Sequence, residues 1–189
     1  MAEVKKKAMR ENRTIVFVDE SAFYLIPGVV RSYAPQGHPA HLKVFSTHDH
    51  LSVMSGITPA GQISTLVRNS ALGAVESVLF VQHLHHWIGT KLLVIWDGSP
   101  IHRGRTVTSF LTAGAAHWVH LERLPAYAPE LNPDEAVWQH LKHVELANLG
   151  CQDFVQLRHE FHLAVMRLRS KPHLIKSFFQ AAGLKIKMV

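Results

Sequence analysis

Cysteine is nearly absent from this chain: its 189 residues hold one, Cys151. A single thiol excludes an internal disulfide framework and any cysteine-rich zinc site, and it suits a reducing compartment. No apolar run reaches the roughly 18 residues of a membrane-spanning helix. The opening MAEVKKKAMRENR lacks the apolar stretch of a signal peptide. An intracellular protein of the cytoplasm or nucleoid, with no membrane partner, is therefore expected. Charged residues are sparse at 18%, but 47% hydrophobic content excludes a disordered tail and supports a real core. Acidic residues are outnumbered, 14 against 20 basic ones. The net charge of +6 points toward a polyanionic partner. Glycine and serine nowhere form a P-loop, a GxGxxG string or a GxSxG elbow, and no HExxH occurs. Nucleotide binding, serine hydrolysis and the common zinc-protease chemistry thus find no support.

What is present reads as one mixed α/β domain. Residues 1–13 form a basic lead-in with Lys5, Lys6, Lys7, Arg10 and Arg13, and the domain proper is expected over 14–189. TIVFVDES (14–21) is a β-branched and aromatic run that stops at acidic and small residues. That pattern predicts a buried strand with a carboxylate at its C-terminal end. Residues 22–43 form a long irregular connection. LSVMSGI (51–57) and QISTLVR (62–68), joined by TPAG, predict a hairpin with Pro59 and Gly61 in its turn. Residues 71–89 carry the spacing of an amphipathic helix closed by Gly89. KLLVIWDG (91–98) repeats the first strand pattern and ends in Asp97. A helix over 99–114 and a strand over 115–125 follow. Asn132 fits an N-cap and Pro133 the first position of a helix running through AVWQHLKHVELAN. Helices over about 153–169 and 172–182 complete the chain. The order requires at least one crossover connection.

Open α/β sheets place their chemistry at strand C-termini, and two apolar strands here end in aspartate, Asp19 and Asp97. If these strands are neighbours, the two carboxylates sit side by side. They would then repel one another, leaving one protonated unless a cation lies between them. Oxygen donors without nearby thiols select a hard cation, Mg²⁺ or Mn²⁺. Glu135, in the first turn of its helix, is the best third carboxylate. Each residue also has a plain structural reading. Asp97-Gly98 is an ordinary turn pair, and Glu135 lies three residues after Asn132, as in a capping box. His83, His85 and His86, with His48, Asp49 and His50, invite a zinc site, but only His83 and His86 share a helix face. Trp87, Trp96, Trp118 and Trp138 fall within apolar runs and read as core rather than as base-stacking platforms. Cys151 reads as a small packing residue.

FVDESAF, IWDGSPIHR and LPAYAPELNPDEAVWQHLK together resemble the three catalytic blocks of DDE transposases, in particular the mariner-like insertion-sequence superfamily. The last block is the most specific, and the resemblance runs in order over about residues 14–145. It implies a ribonuclease H-like fold, with a mixed five-stranded sheet flanked by helices. It also implies that Asp19, Asp97 and Glu135 are the catalytic and metal-binding residues. Two points depart from the family pattern. Asp134 stands before the matched glutamate where the family has an apolar residue, and Gly98 stands where it commonly has Asn. The family's N-terminal helix-turn-helix modules have no counterpart before Asp19, so the chain resembles a catalytic half.

On this resemblance, the expected activity is metal-dependent cleavage and strand transfer of DNA. Three carboxylates would hold two Mg²⁺ or Mn²⁺ ions, and no covalent protein intermediate would form. His102, Arg103, Arg105 and Lys142 are candidate phosphate contacts. Expected partners are double-stranded DNA (element ends and target), a separately encoded helix-turn-helix protein and a second copy of the chain. Two alternatives remain at this point. One is a catalytically silent transposase remnant acting only as a DNA- or protein-binding module. The other is a ribonuclease H-like nuclease acting on RNA–DNA hybrids, against which the LNPDE block argues.

Overall fold

A computed structural model of the chain describes residues 2–26, 28–31, 33–38, 41–42, 49–125 and 128–184. Five strands form one sheet in the order β3-β2-β1-β4-β5. The central strand β1 spans Arg13–Tyr24, and its residues from Ile15 to Asp19 are buried without interruption. Continuous burial is what a strand covered on both faces requires. β2 (His50–Ile57) runs antiparallel to β1, and β3 (Ile63–Arg68) antiparallel to β2. Helix α2 (Ala74–Ile88), closed by Gly89 at φ 74°, crosses from this hairpin to β4 (Lys91–Trp96), which is parallel to β1. β5 (Val119–Arg123) lies parallel to β4. The mixed five-stranded sheet expected from the sequence is therefore present, with β1 between the antiparallel and parallel halves. No described helix is long and apolar enough to cross a membrane.

The sheet separates two apolar layers, and alternation along β1 assigns residues to each. Ile15, Phe17 and Phe23 face the layer that holds Trp138, Phe161 and Phe179. This layer carries α4 (Pro133–His140), α5 (Phe154–Arg169) and α6 (Pro172–Ala181). Val16 and Val18 face Phe80, Leu84, Trp96 and Val107, under α2 and α3 (Arg105–Thr112). Phe23 meets both Trp138 and Phe161 edge-on, at centroid distances of 5.9 and 4.8 Å. These geometries add to the burial of the rings. Parity therefore turns Asp19 toward α4 and Glu20 toward α3.

Four local expectations change. The basic lead-in contains helix α1 (Ala2–Arg10), with Ala8 buried in the core and Val4 packed against it. Its Lys7 Nζ lies 2.7 Å from His120 Nε2 on β5, so the segment packs on the domain it precedes. The expected helix over 99–114 is a 3₁₀ turn at Pro100–His102 followed by α3, because Gly104 is extended and caps α3. Gly114 at φ 113° then opens a second 3₁₀ turn, which delays β5 to Val119. The helix begun at Pro133 widens into a π turn over Leu141–Glu145, closed by Leu146 N–H on Leu141 O at 2.9 Å.

Gly61 turns the hairpin at φ +89°, and a Cβ there would lie 2.4 Å from Pro172 O at the start of α6. Gly61→Ala is expected to lower stability by about 2 kcal/mol, from left-handed backbone strain and the lost fit. A shift in the urea midpoint at unchanged slope measures it.

Candidate active site

The parallel register between β1 and β4 ends at Phe17 opposite Ile95. Continuing it by two residues brings position 97 level with position 19. Neighbouring strands lie about 4.8 Å apart, so the topology alone brings the two aspartates together. Asp19 is 9% exposed, and its Oδ2 accepts the Trp138 indole N–H at 2.9 Å. Burial pushes its carboxyl up from 3.8 to about 7; the Trp138 hydrogen bond opposes this, while the charges of Glu135 and Glu20 reinforce it.

Asp97 lies just past β4 with its side chain 51% exposed. Its Oδ1 accepts the backbone N–H of Ser99 at 2.8 Å, so the turn role expected for an Asp-Gly pair is real. The same oxygen lies 3.3 Å from His102 Nε2, which also sits 3.1 Å from Glu20 Oε1. His102 is buried and stacked on Trp96, with centroids 4.1 Å apart and planes 15° apart. It therefore backs the acidic rim from inside. Glu20, Asp97 and His102 are, among the described residues, the group whose ligand atoms converge closely enough to hold a metal ion.

Helix α4 brings the third carboxylate. Asn132 caps it by accepting the Asp134 N–H at 3.2 Å, with Pro133 in the first turn. Trp138 follows Glu135 by three residues and Asp134 by four, so its anchor on Asp19 draws both acids toward β1. They then part. Asp134 is fully buried, its Oδ1 accepts from Ser55 Oγ at 2.5 Å, and its Oδ2 has no hydrogen-bond partner. Ser55 is the residue paired with Asp19 across β1 and β2. Desolvation first, and then the charge of Asp19, hold the Asp134 carboxyl well above the ordinary carboxylate range. Glu135 is exposed and opens onto the site. The capping box allowed by its spacing is not formed; the Asn132 side chain bonds residue 134 instead.

Asp19, Asp97 and Glu135 line one open cleft of about 500 Å³, together with Gly98, Arg103, Arg123 and Asn132. Of the candidate phosphate contacts, only Arg103 lines this cleft. Arg105 is exposed at the start of α3. Lys142 lines the adjacent groove beside Phe23, where its Nζ donates to Ser21 Oγ at 2.7 Å. Partial burial lowers its pKa, against the opposing pull of Glu135 and Asp19. Sequence reasoning missed Arg123, Glu20, Ser55 and the indole donor of Trp138, and named Asp134 only as a departure beside Glu135. The missed roles appear once the packing of strands and helices is known. Of the histidines weighed for zinc, His83 pairs with Ser64 and His85 with the Thr90 carbonyl. His48 lies outside the described residues.

The three carboxylates lining the cleft offer only oxygen donors, which suit a hard divalent cation. Burial, reinforced by the charges of Glu135 and Glu20, raises the Asp19 carboxyl, and Asp97 is the one of the three that also belongs to the converging Glu20–Asp97–His102 group.

Residues 14–158 match the model of a DDE superfamily endonuclease. No curated protein matches the chain. Among solved structures, the mariner Mos1 paired-end complex with Mg is similar at TM-score 0.64 and 18% identity, over 98% of this chain and 56% of that one. The corresponding complex with Mn gives 0.61 and 17%, over 100% and 61%. The catalytic domain of Mos1 mariner transposase gives 0.53 and 14%, over 96% and 89%. The chain thus spans less than two thirds of the length of the chains in the paired-end complexes, and most of the catalytic domain's. These likenesses establish the ribonuclease H-like fold expected from the sequence. With that fold and a family match over most of its length, the chain belongs to the DDE superfamily endonucleases.

Proposed function

We propose that this chain is the catalytic domain of a transposase, cleaving DNA strands and joining freed 3′ ends to target DNA at the Asp19–Asp97–Glu135 cleft. The observation that carries this reading is that three carboxylates, from β1, the end of β4 and α4, line one cleft within a DDE-family chain. Asp19, Asp97 and Glu135 are the residues that would hold two divalent ions. Bound there, Mg²⁺ or Mn²⁺ would supply Lewis acidity to the attacking hydroxyl or water and to the leaving 3′ oxygen of an in-line displacement.

The chain's own residues do the rest. Trp138 and the Ser99 N–H fix the Asp19 and Asp97 carboxylates, so little reorganisation is left for the reaction itself. Glu135 closes the acidic set from a helix whose N-terminus favours negative charge. Direct attack by water or a 3′-hydroxyl, with no covalent protein intermediate, is the reading proposed for this cleft. Arg103 stands at the cleft as a cation for the DNA backbone. Arg105 and Lys142 remain proposed contacts outside it, whereas burial gives His102 the role of supporting Asp97 and Glu20.

The proposed partners are duplex DNA, a helix-turn-helix protein encoded separately, and a second copy of the chain. Supercoiled plasmid tests the reading. The protein is expected to nick it with Mg²⁺ or Mn²⁺ and not with EDTA, and to join a labelled 3′-hydroxyl oligonucleotide to it. A folded protein that binds DNA but never nicks would establish the silent-remnant alternative. Preferential cleavage of RNA–DNA hybrids would favour the ribonuclease alternative.

A further inference from the structure

Gly98 and Arg123 compete for one volume. β4 and β5 end side by side, with Trp96 paired to Arg123 and the Leu124 N–H bonded to Trp96 O at 2.8 Å. Just beyond, a Cβ added at residue 98 would lie 2.5 Å from Arg123 Nη2 and 3.5 Å from Cζ. The backbone at Gly98 is outside the left-handed region, so its conformation does not demand glycine. What a side chain at 98 would meet is the guanidinium, the flexible end of an exposed arginine, which would have to swing away from this position.

That guanidinium lines the acidic cleft, yet among the described residues it has no carboxylate within ion-pairing distance. Arg123 is exposed at the end of a strand fixed in the sheet. Its planar fork of donors matches phosphate oxygens in pairs, which a point charge cannot do. A polyanion entering a cleft of three carboxylates needs such a cation close by.

We infer that Arg123 is the phosphate-binding residue of the cleft, gripping the DNA backbone beside the three carboxylates, and that Gly98 is the positioning residue that leaves room for it. This rests on the transposase reading for the identity of the polyanion, but its test does not depend on catalysis.

Binding of a fluorescein-labelled DNA duplex, followed by anisotropy in EDTA across a KCl series, reads the contact without strand cleavage. Arg123→Gln is expected to bind about tenfold more weakly, with the slope of log K against log salt shallower by about 1. Arg123→Lys should recover the slope but not the full affinity, because the charge returns without the fork. Gly98→Ala should weaken binding through the displaced guanidinium, and Gly98→Ala combined with Arg123→Gln should bind no more weakly than Arg123→Gln alone. The inference is overturned if Arg123→Gln binds as the parent does, if the parent does not bind duplex DNA, or if the two losses add. A protein that binds through Arg123 but never nicks plasmid sinks the transposase reading alone. One that nicks and binds normally as Arg123→Gln sinks this inference alone.

Discussion

Asp97→Asn is expected to reduce metal-dependent plasmid nicking by roughly 10³-fold while leaving the fold intact. The substitution keeps size and shape, and the amide oxygen can still accept the Ser99 N–H, so the turn after β4 survives. The side chain is half exposed, which limits any stability change to about 0.5 kcal/mol. What disappears is one negative charge from a set of three. Metal ions contribute several kcal/mol of charge stabilisation in such displacements, and 1.36 kcal/mol is tenfold in rate. On the proposed reading Asp97 is one of the ion's ligands, so its loss removes most of the rate. Glu135→Gln should match it. Asp134→Asn should not, because Asp134 faces Ser55 under the sheet and burial already favours its protonated form, which an amide imitates. His102→Ala should fall between, by about 10–100-fold, because on the proposed reading it supports Asp97 from behind. Equal nicking by parent and Asp97→Asn would remove Asp97 from the chemistry. Equal losses for Asp134→Asn and Glu135→Gln would reopen which acid faces the cleft.

Particular residues show how far the sequence could be read. Strand-ending aspartates were visible because a buried strand is a continuous apolar run, and Asp19 and Asp97 each interrupt one. Glu135 was visible because Asn132 and Pro133 mark a helix start. The five strands, the hairpin and five of the six helices follow from the same local patterns, α3 with its start misplaced, while the sheet itself was implied by the family resemblance. α1 was not visible, since its basic surface resembles a solvated tail and only Val4 and Ala8 meet the core. The break at Gly104 was missed because one glycine is tolerated in many helices. Arg123, Ser55 and Glu20 gain their meaning from register across strands far apart in the chain. Their partners are set by tertiary pairing, which no local pattern encodes. His102 shows the opposite error: a histidine beside two arginines looked like a phosphate contact, but the turn after β4 folds it onto Trp96.

The metal-free protein is expected to lose stability as pH rises from about 4 to about 7, and divalent cation is expected to restore it. The folded state holds the Asp19 carboxyl at about 7, against an ordinary value of 3.8. Folding therefore favours the protonated acid. The stabilisation is fully present below about pH 4 and is lost as pH climbs through the folded value. At 1.36 kcal/mol per pH unit, this interval corresponds to roughly 4 kcal/mol. Asp134 shifts in the same direction, also by burial, and adds to the decline. A divalent ion binds the deprotonated carboxylates, so its benefit must grow over the same interval in which the metal-free protein weakens. Urea midpoints from pH 4 to 8, with and without Mg²⁺, measure both effects. Asp19→Asn provides the internal control, because an amide can still accept the Trp138 N–H and carries no charge at any pH. It should flatten the metal-free profile, make the protein more stable than the parent near pH 8 by up to about 4 kcal/mol, and largely abolish the Mg²⁺ effect. Parallel pH profiles for parent and Asp19→Asn would show that the buried Asp19 carboxyl does not set the pH dependence. A Mg²⁺ effect that survives the substitution would place the ion elsewhere. The burial that weakens the protein as Asp19 ionises is thus the same feature that, on the proposed reading, lets a divalent cation restore its stability.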